Sequence, residues 1–389
     1  MKGLDRPTVV MVLHINKDHS EVSLDVYRKM VQNEFLFMLR AVSVPIELSI
    51  QGEDVSFLAT ANPSIVEEMR FNPRLSVLRG SYTHAMPSFF PGTLQSQISL
   101  SNKVLKCYLG KKLSGVGCLP EVDVSTPIMP YLKTGGWTGA LVLEDLHYTY
   151  EYKKDTNTRI PLTGEVILRS EGMPLIVAAD AKLRDIYLKF YRGFATPEEF
   201  IEALETKAIN SKANFAVFFI DFEVPQVNAV DGQSRLDLWR KLFGALAKSS
   251  IRFCHFQDAP VQRFIKEASE TARETQIDSQ PMSKWHHSTH LYEQIEKALA
   301  NPSADIHDLL RLTVSDTFSA IHYWPLCAEL PVKDSEAKVI IKPDLTRRIA
   351  ALDYFLAKTR GEIPKTSEDP SLSWYLNMLE KAHKEEKCH

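Results

Sequence analysis

The sequence predicts an α/β fold in which a parallel sheet or barrel with crossover helices is followed by a helical C-terminal region. Two observations lead there. Short apolar, β-branched runs alternate with helical patterns at steps of about 30 residues, the length of one strand–helix unit. Beyond residue 260 strand-like runs almost vanish, and the segments 291–300, 304–324, 346–360 and 371–386 carry helical periodicity.

The run Thr8–Leu13 reads as a buried strand that opens the core, and polar residues from His14 to His19 gather where it stops. Leu24, Tyr27, Val31, Phe35 and Met38 recur at helical spacing, with Ser20 or Ser23 as the cap. Pro45–Ile50 is the next strand, a helix starts at Asn62-Pro63, and Leu75–Leu78 is a third strand that ends at Gly80-Ser-Tyr-Thr-His84. A helix over 94–112 leads to the apolar run Val116–Leu119, which Pro120 closes because proline fixes φ and lacks an N–H.

Gly139–Leu143 is a further strand. Residues 147–170 break the rhythm and read as an inserted β-hairpin: His147–Tyr152, a polar turn around Asp155, then Val166–Arg169. The chain returns to the core at Leu175–Ala178, followed by a helix from Asp180. A second helix has Thr196 as N-cap and Pro197 at its first position. Strand 215–220, helix 235–248 and strand Ile251–Phe256 complete the alternation.

Composition narrows the function. The 389 residues are 44% hydrophobic and 24% charged, ordinary values for a protein with a large core. A net charge of −3 provides no basic footprint for nucleic acid and no polybasic face for a membrane, so a neutral polymer or small molecule fits better. Five scattered cysteines without a CxxC pair read as reduced thiols, and the apolar run Val9–Leu13 is too short to span a bilayer; the expected location is the cytoplasm. Self-association into a homo-oligomer is left open.

Two strands run straight into acids. Glu121 follows Pro120 at the end of one, and Asp221-Phe-Glu223 closes Phe215–Ile220. Two carboxylates at strand ends suit glycoside cleavage, where one attacks and the other donates a proton; acids capping helices after strands would look the same. Trp285 with His286, His287 and His290 allows a metal reading, but no zincin glutamate accompanies the histidines, and a polar loop offering Trp285 to a sugar face fits better. No metal and no cofactor is expected.

In this order the pieces resemble glycoside hydrolase family 57, over residues 9 to about 325. The family's first motif, His-x-His-Gln-Pro at a strand end, stands here as His14-Ile-Asn16-Lys17-Asp18, with Asn16 in place of the second histidine. The second corresponds to Ser81-Tyr-Thr-His84, the third to Cys118-Leu-Pro-Glu121, the fourth to Asp221-Phe-Glu223 and the fifth to Ser315-Asp316-Thr-Phe318. Val224-Pro225 replace the glycine and aromatic that often follow the fourth.

The resemblance implies a (β/α)7 barrel, a distorted relative of the TIM barrel, over 1–262, with the hairpin inserted near 147–170 and the helical region over 263–389 packed on it. It implies a retaining reaction on an α-glucan or another oligosaccharide. Glu121 is then the nucleophile and Asp221 the general acid/base, with His14, Asn16, His84, Glu223, Trp285 and Asp316 on the substrate. Hydrolysis of the α-amylase or α-galactosidase type is the first expectation, because the chain is shorter than long branching and transferase members; 4-α-glucanotransferase or branching chemistry is the alternative. Two other readings compete. A metal-dependent polysaccharide deacetylase needs an Asp-Asp pair that the first strand lacks. A non-catalytic glycan-binding protein would account for the altered first motif.

Overall fold

The computed structural model describes the chain except for residues 1–5, 19–21, 88, 111–112, 145–146, 154–155, 163–164, 179–180, 192–194, 212, 223–234, 280–288, 315–328, 332–337, 341–344 and 387–389. Its strands are β1 (Thr8–Ile15), β2 (Ile46–Ile50), β3 (Leu75–Val77), β4 (Val116–Gly117), β5 (Gly139–Leu143), β6 (His147–Lys153), β7 (Thr156–Pro161), β8 (Ile167–Ser170), β9 (Met173–Ala178), β10 (Phe215–Asp221), β11 (Arg252–Phe253), β12 (Gln276–Ser279), β13 (Glu329–Pro331) and β14 (Lys338–Ile340).

One sheet has the order β10-β1-β2-β3, with β11 also paired to β1; a second has the order β4-β5-β9-β8. Every pairing in them is parallel except β8 with β9. Among the described residues a single parallel bridge, Arg79 to Gly117, joins the two sheets. Among the described residues no ladder joins β9 to β10, so strand pairing gives two linked sheets rather than a closed ring.

Side-chain alternation nevertheless gives both sheets one shared interior. Val10 and Val12 of β1, Leu141 and Leu143 of β5, Ile176 and Ala178 of β9, and Phe215, Val217 and Phe219 of β10 meet in one buried cluster. The intervening residues of the same strands, such as Val9, Met11 and Leu13 or Ala140 and Val142, pack outward against helices. Each fully buried Val, Leu or Phe contributes about 1.5–3 kcal/mol, so this double-sided burial dominates the cohesion of the unit. Strand β2 is the exception: its outward row is Ile46, Leu48 and Ile50, and its other row is polar, with buried Glu47 and Ser49.

Most expected elements form where their periodicity placed them. Ser23 caps the helix Leu24–Asn33 by accepting from the Val26 N–H, and a second helix, Phe35–Arg40, follows at once. Thr196 and Glu199 form a full capping box on the helix Pro197–Asn210. The helix Leu94–Leu109 ends at Gly110, whose φ of 59° is the left-handed cap that glycine adopts without strain.

Three readings change. The inserted hairpin is β6 with β7, so its second strand begins at Thr156 within the expected turn. Residues 167–170 instead pair with β9 through a two-residue turn at Glu171 and Gly172, both with positive φ, as a tight hairpin requires. Among the helices without a predicted counterpart are Gly52–Ala61 and Ala259–Thr271. The first is buried at every residue from Gly52 to Leu58, Glu53 and Asp54 included, so its polar residues mark no solvent face and leave no amphipathic stripe to read. The second runs across residues 262–263 and places Val261, Phe264 and Ala268 in the shared interior cluster. Beyond it, β12 adds to β6, and the helices Thr289–Leu299, Ile306–Arg311, Leu345–Thr359 and Pro370–Glu386 follow.

Candidate active site

The C-terminal ends of β1 and β2 and the segment after β3 bring the first site residues together. His14 extends the inward row of Val10 and Val12. Its Nδ1 lies 3.1 Å from the Ser49 hydroxyl of β2, and its Nε2 lies 3.0 Å from Nε2 of His84. Its ring stacks on Phe219 of β10 at 5.4 Å. In the β1–β10 ladder the register partner of His14 is Asp221, and the Phe222 N–H donates to the His14 carbonyl at 2.8 Å. Position 221 is thus fixed beside the histidine by backbone pairing.

Glu121 stands at the exit of β4. After Leu119, Pro120 turns the chain, and the N–H groups of Val122 and Asp123 donate to the carbonyls of Leu119 and Pro120. Glu121 and Val122 both have positive φ, 54° and 49°. For a non-glycine residue this region costs about 1–3 kcal/mol, and a β-branched valine is the least suited to it. The turn persists because Val122 is buried in the interior cluster with Val12 and Phe219, while Glu121 remains partly exposed. Backbone strain therefore sits at the carboxylate.

Asn16 does not simply replace an imidazole. It is buried, and its side-chain oxygen accepts the Asp18 N–H at 2.8 Å, closing the turn after β1. Glu223, Trp285 and Asp316 lie outside the described residues, as do His286 and His287; Asp221 is described by its backbone position. Among the described residues no group of three or more His, Cys, Asp or Glu side chains is disposed to hold a metal. No helix among them is long and apolar enough to cross a membrane.

Behind the histidine pair lies a buried ionic cluster that sequence reasoning missed. Lys17 pairs with Asp18 at 2.9 Å, Glu53 at 2.5 Å and Asp54 at 2.9 Å, all four side chains fully buried. Arg311 donates through both Nη atoms to the Asp18 carboxylate and through Nη1 to Glu53 at 2.8 Å. Arg348 reaches Asp18 at 3.1 Å, the Tyr375 hydroxyl bridges Arg311 and Asp18, and His383 Nε2 lies 2.9 Å from Glu53. Nearby, Tyr82 donates to Glu386 and receives a contact from His307 at 2.9 Å.

Three cations thus face three carboxylates among buried side chains. Burial alone would neutralise Asp18, but Arg311 and Lys17 hold its carboxyl well below the ordinary range. Glu53 is likewise depressed by Arg311 and Lys17 against its burial. The carboxylates of Asp18, Asp54 and Glu53 keep the Lys17 ammonium charged in spite of its burial. Asp54, with Lys17 as its cation, is the weakest member: burial pushes its carboxyl up to about 6. The available signal was an arginine interrupting an apolar run, Leu309-Leu310-Arg311-Leu312, and a lysine–aspartate pair directly after a buried strand.

No protein-family model matches the sequence, and no curated protein matches it. Among solved structures the chain is similar to a glycoside hydrolase family 57 branching enzyme from Thermococcus kodakaraensis (13% identity over 98% of this chain and 94% of that one, TM-score 0.57). A family 57-type branching enzyme from Pyrococcus horikoshii matches 100% of this chain and 95% of its own at 13% identity, with a TM-score of 0.56. A 4-α-glucanotransferase from Thermococcus litoralis matches 92% of this chain and 60% of its own at 14% identity, with a TM-score of 0.55. The protein has the fold of glycoside hydrolase family 57 enzymes.

Proposed function

We propose that the protein is a retaining, α-glucan-active enzyme. Glu121 attacks the anomeric carbon and forms a glycosyl-enzyme. Asp221 donates its proton to the leaving oxygen and then takes one from water or an acceptor sugar. His14 and His84 contact sugar hydroxyls, with Asn16 holding the turn that follows His14; Glu223, Trp285 and Asp316 complete the substrate contacts. The reading includes a (β/α)7 barrel made by β1–β5, β9 and β10, supported by the single interior cluster those sheets share.

One observation carries it: His14, whose ring stacks on Phe219, Glu121, which precedes Val122 at a backbone-strained turn, and register position 221 all border one interior cluster, in a fold shared with family 57 branching enzymes. Chain length does not favour hydrolysis over transfer as expected, since branching enzymes are matched over nearly their whole length. Both outcomes use the same two carboxylates, and the acceptor decides between them.

The test is turnover of maltooligosaccharides and amylose, with products resolved by length, in wild type, Glu121→Ala and Asp221→Ala. Loss of activity in both variants, by about 10²–10⁴-fold for the acid/base, is expected. Shorter products alone mean hydrolysis; longer or branched ones mean transfer. Wild-type binding without turnover would instead establish the glycan-binding reading, which the substituted stretch Asn16-Lys17-Asp18 favours.

A further inference from the structure

We propose that Arg311 is a positioning residue of the site: by clamping Asp18 and Glu53 it sets the relative placement of His14 and His84. The inference rests on the reading of those histidines as sugar-binding groups. They follow two parallel strands that do not pair with each other, His14 at the end of β1 and His84 in the segment after β3, and among the described residues no helix or ladder holds both. Each segment is instead tied to one of the two carboxylates that Arg311 grips.

On the first side, the Asp18 N–H donates to Asn16, two residues after His14, within a turn whose members Asn16, Lys17 and Asp18 are all buried. On the second, the backbone N–H of Glu53 donates to the Tyr82 carbonyl at 2.7 Å and that of Gly52 to Ser81 at 3.2 Å. Arg311 itself belongs to the stretch lying against the His84 segment. The Thr83 hydroxyl donates to the Leu310 carbonyl at 3.1 Å, the Met86 N–H donates to Thr313, and Ala85 bridges Val314. One guanidinium therefore meets β1's terminal turn, the start of the helix Gly52–Ala61 and the support of His84.

A planar fork suits this task and an ammonium does not. Arg311 places Nη1 on both carboxylates while Nη2 holds the other Asp18 oxygen, so the separation of Asp18 from Glu53 is set by the guanidinium's own dimensions. Lys17 supplies charge at the same carboxylates but only as a point donor. Lys17 and Asp18 thus tie the strand end to the C-terminal helices, through Arg348 and Tyr375 as well.

The experiment compares full-length Arg311→Lys with Tyr354→Phe. Tyr354 donates to Glu380 at 2.6 Å between two of the same C-terminal helices but outside the cluster, and so reports on destabilisation alone. Imidazole ¹⁵N spectra without ligand, assigned with His14→Gln and His84→Gln, read the histidine pair. Calorimetry with maltoheptaose reads the site. Expected for Arg311→Lys are displaced His14 and His84 resonances and a loss of about 10- to 100-fold in affinity, with neither change in Tyr354→Phe at a comparable fall in Tm. Unmoved His14 and His84 resonances, or equal displacement in both variants, overturns the proposal. Should Arg311→Lys fail to fold, Tyr375→Phe removes the hydroxyl shared by Arg311 and Asp18 and is judged by the same outcomes. If wild type binds no α-glucan, the functional reading falls, while the spectra still decide whether Arg311 positions the pair.

Discussion

The Nε2 atoms of His14 and His84 lie 3.0 Å apart, with both rings buried and tilted 44° to one another. Two imidazole nitrogens at this distance share one proton, since one must donate and the other accept. The Ser49 hydroxyl on His14 Nδ1 then links the tautomer of the pair to β2.

The histidines should therefore act as a unit. His14→Gln and His84→Gln are each expected to weaken binding of maltooligosaccharides, and the double variant to lose much less than the sum. A coupling of about 0.5–3 kcal/mol in a double-mutant cycle, measured by calorimetry, is the expected result. Additive losses would mean that the two rings work independently.

Asp18→Ala should be severely destabilising. It removes the carboxylate shared by Lys17, Arg311, Arg348 and Tyr375 and leaves buried cations without their main partner. Removing one member of such a pair costs about 3–5 kcal/mol. Urea unfolding at neutral pH measures it, with Lys384→Ala as a control, because Lys384 is exposed and its pairing with Glu380 contributes little.

Asp54 predicts a dependence of stability on pH. Its carboxyl is raised to about 6 by burial, so the folded chain holds that proton more tightly than the unfolded chain. The resulting contribution is fully present below the unfolded value, near 4, and is lost as pH rises through 6. Asp18 and Glu53, being depressed, have the opposite sign: their contributions are present above the unfolded carboxylate range and are lost as pH falls below it through the depressed folded values. Asp54→Asn should abolish the loss between pH 4 and 6. At pH 8 it should leave the variant more stable than wild type by up to about 3 kcal/mol. Urea titrations across pH 4–8 make the comparison, and parallel curves for the two proteins would contradict it.

Glu121→Gly should separate stability from turnover. Glycine accepts a φ of 54° without the penalty that glutamate meets, so thermal unfolding should shift upward by the equivalent of about 1 kcal/mol. Turnover should vanish with the carboxylate. A lower Tm in the glycine variant would show that the glutamate side chain supports the turn more than its backbone strains it.

The parts legible in the sequence were those that depend on local repetition. Thr8–Ile15 announced itself as a strand by an unbroken apolar run, and Thr196-Pro197 marked a helix start by its own capping chemistry. Gly139–Leu143 was readable at both ends. The helix Gly52–Ala61 was not, because a helix buried on all sides has no periodic contrast. The hairpin's second strand was misplaced because Thr156–Pro161 reads as a polar turn until β6 pairs with it.

The site divides along the same line. His14, His84 and Glu121 stood out as polar residues at the ends of apolar strands, a pattern present in the chain itself. That Nε2 of His14 meets Nε2 of His84 depends on segments 70 residues apart, and that Arg311 grips Asp18 and Glu53 on segments 293 and 258 residues away. In the sequence Lys17, Asp18, Glu53 and Arg311 are ordinary charges, expected at the surface. Only the tertiary structure placed them together out of water, because a buried charge is tolerable only beside its opposite, and the opposite lies on another part of the chain.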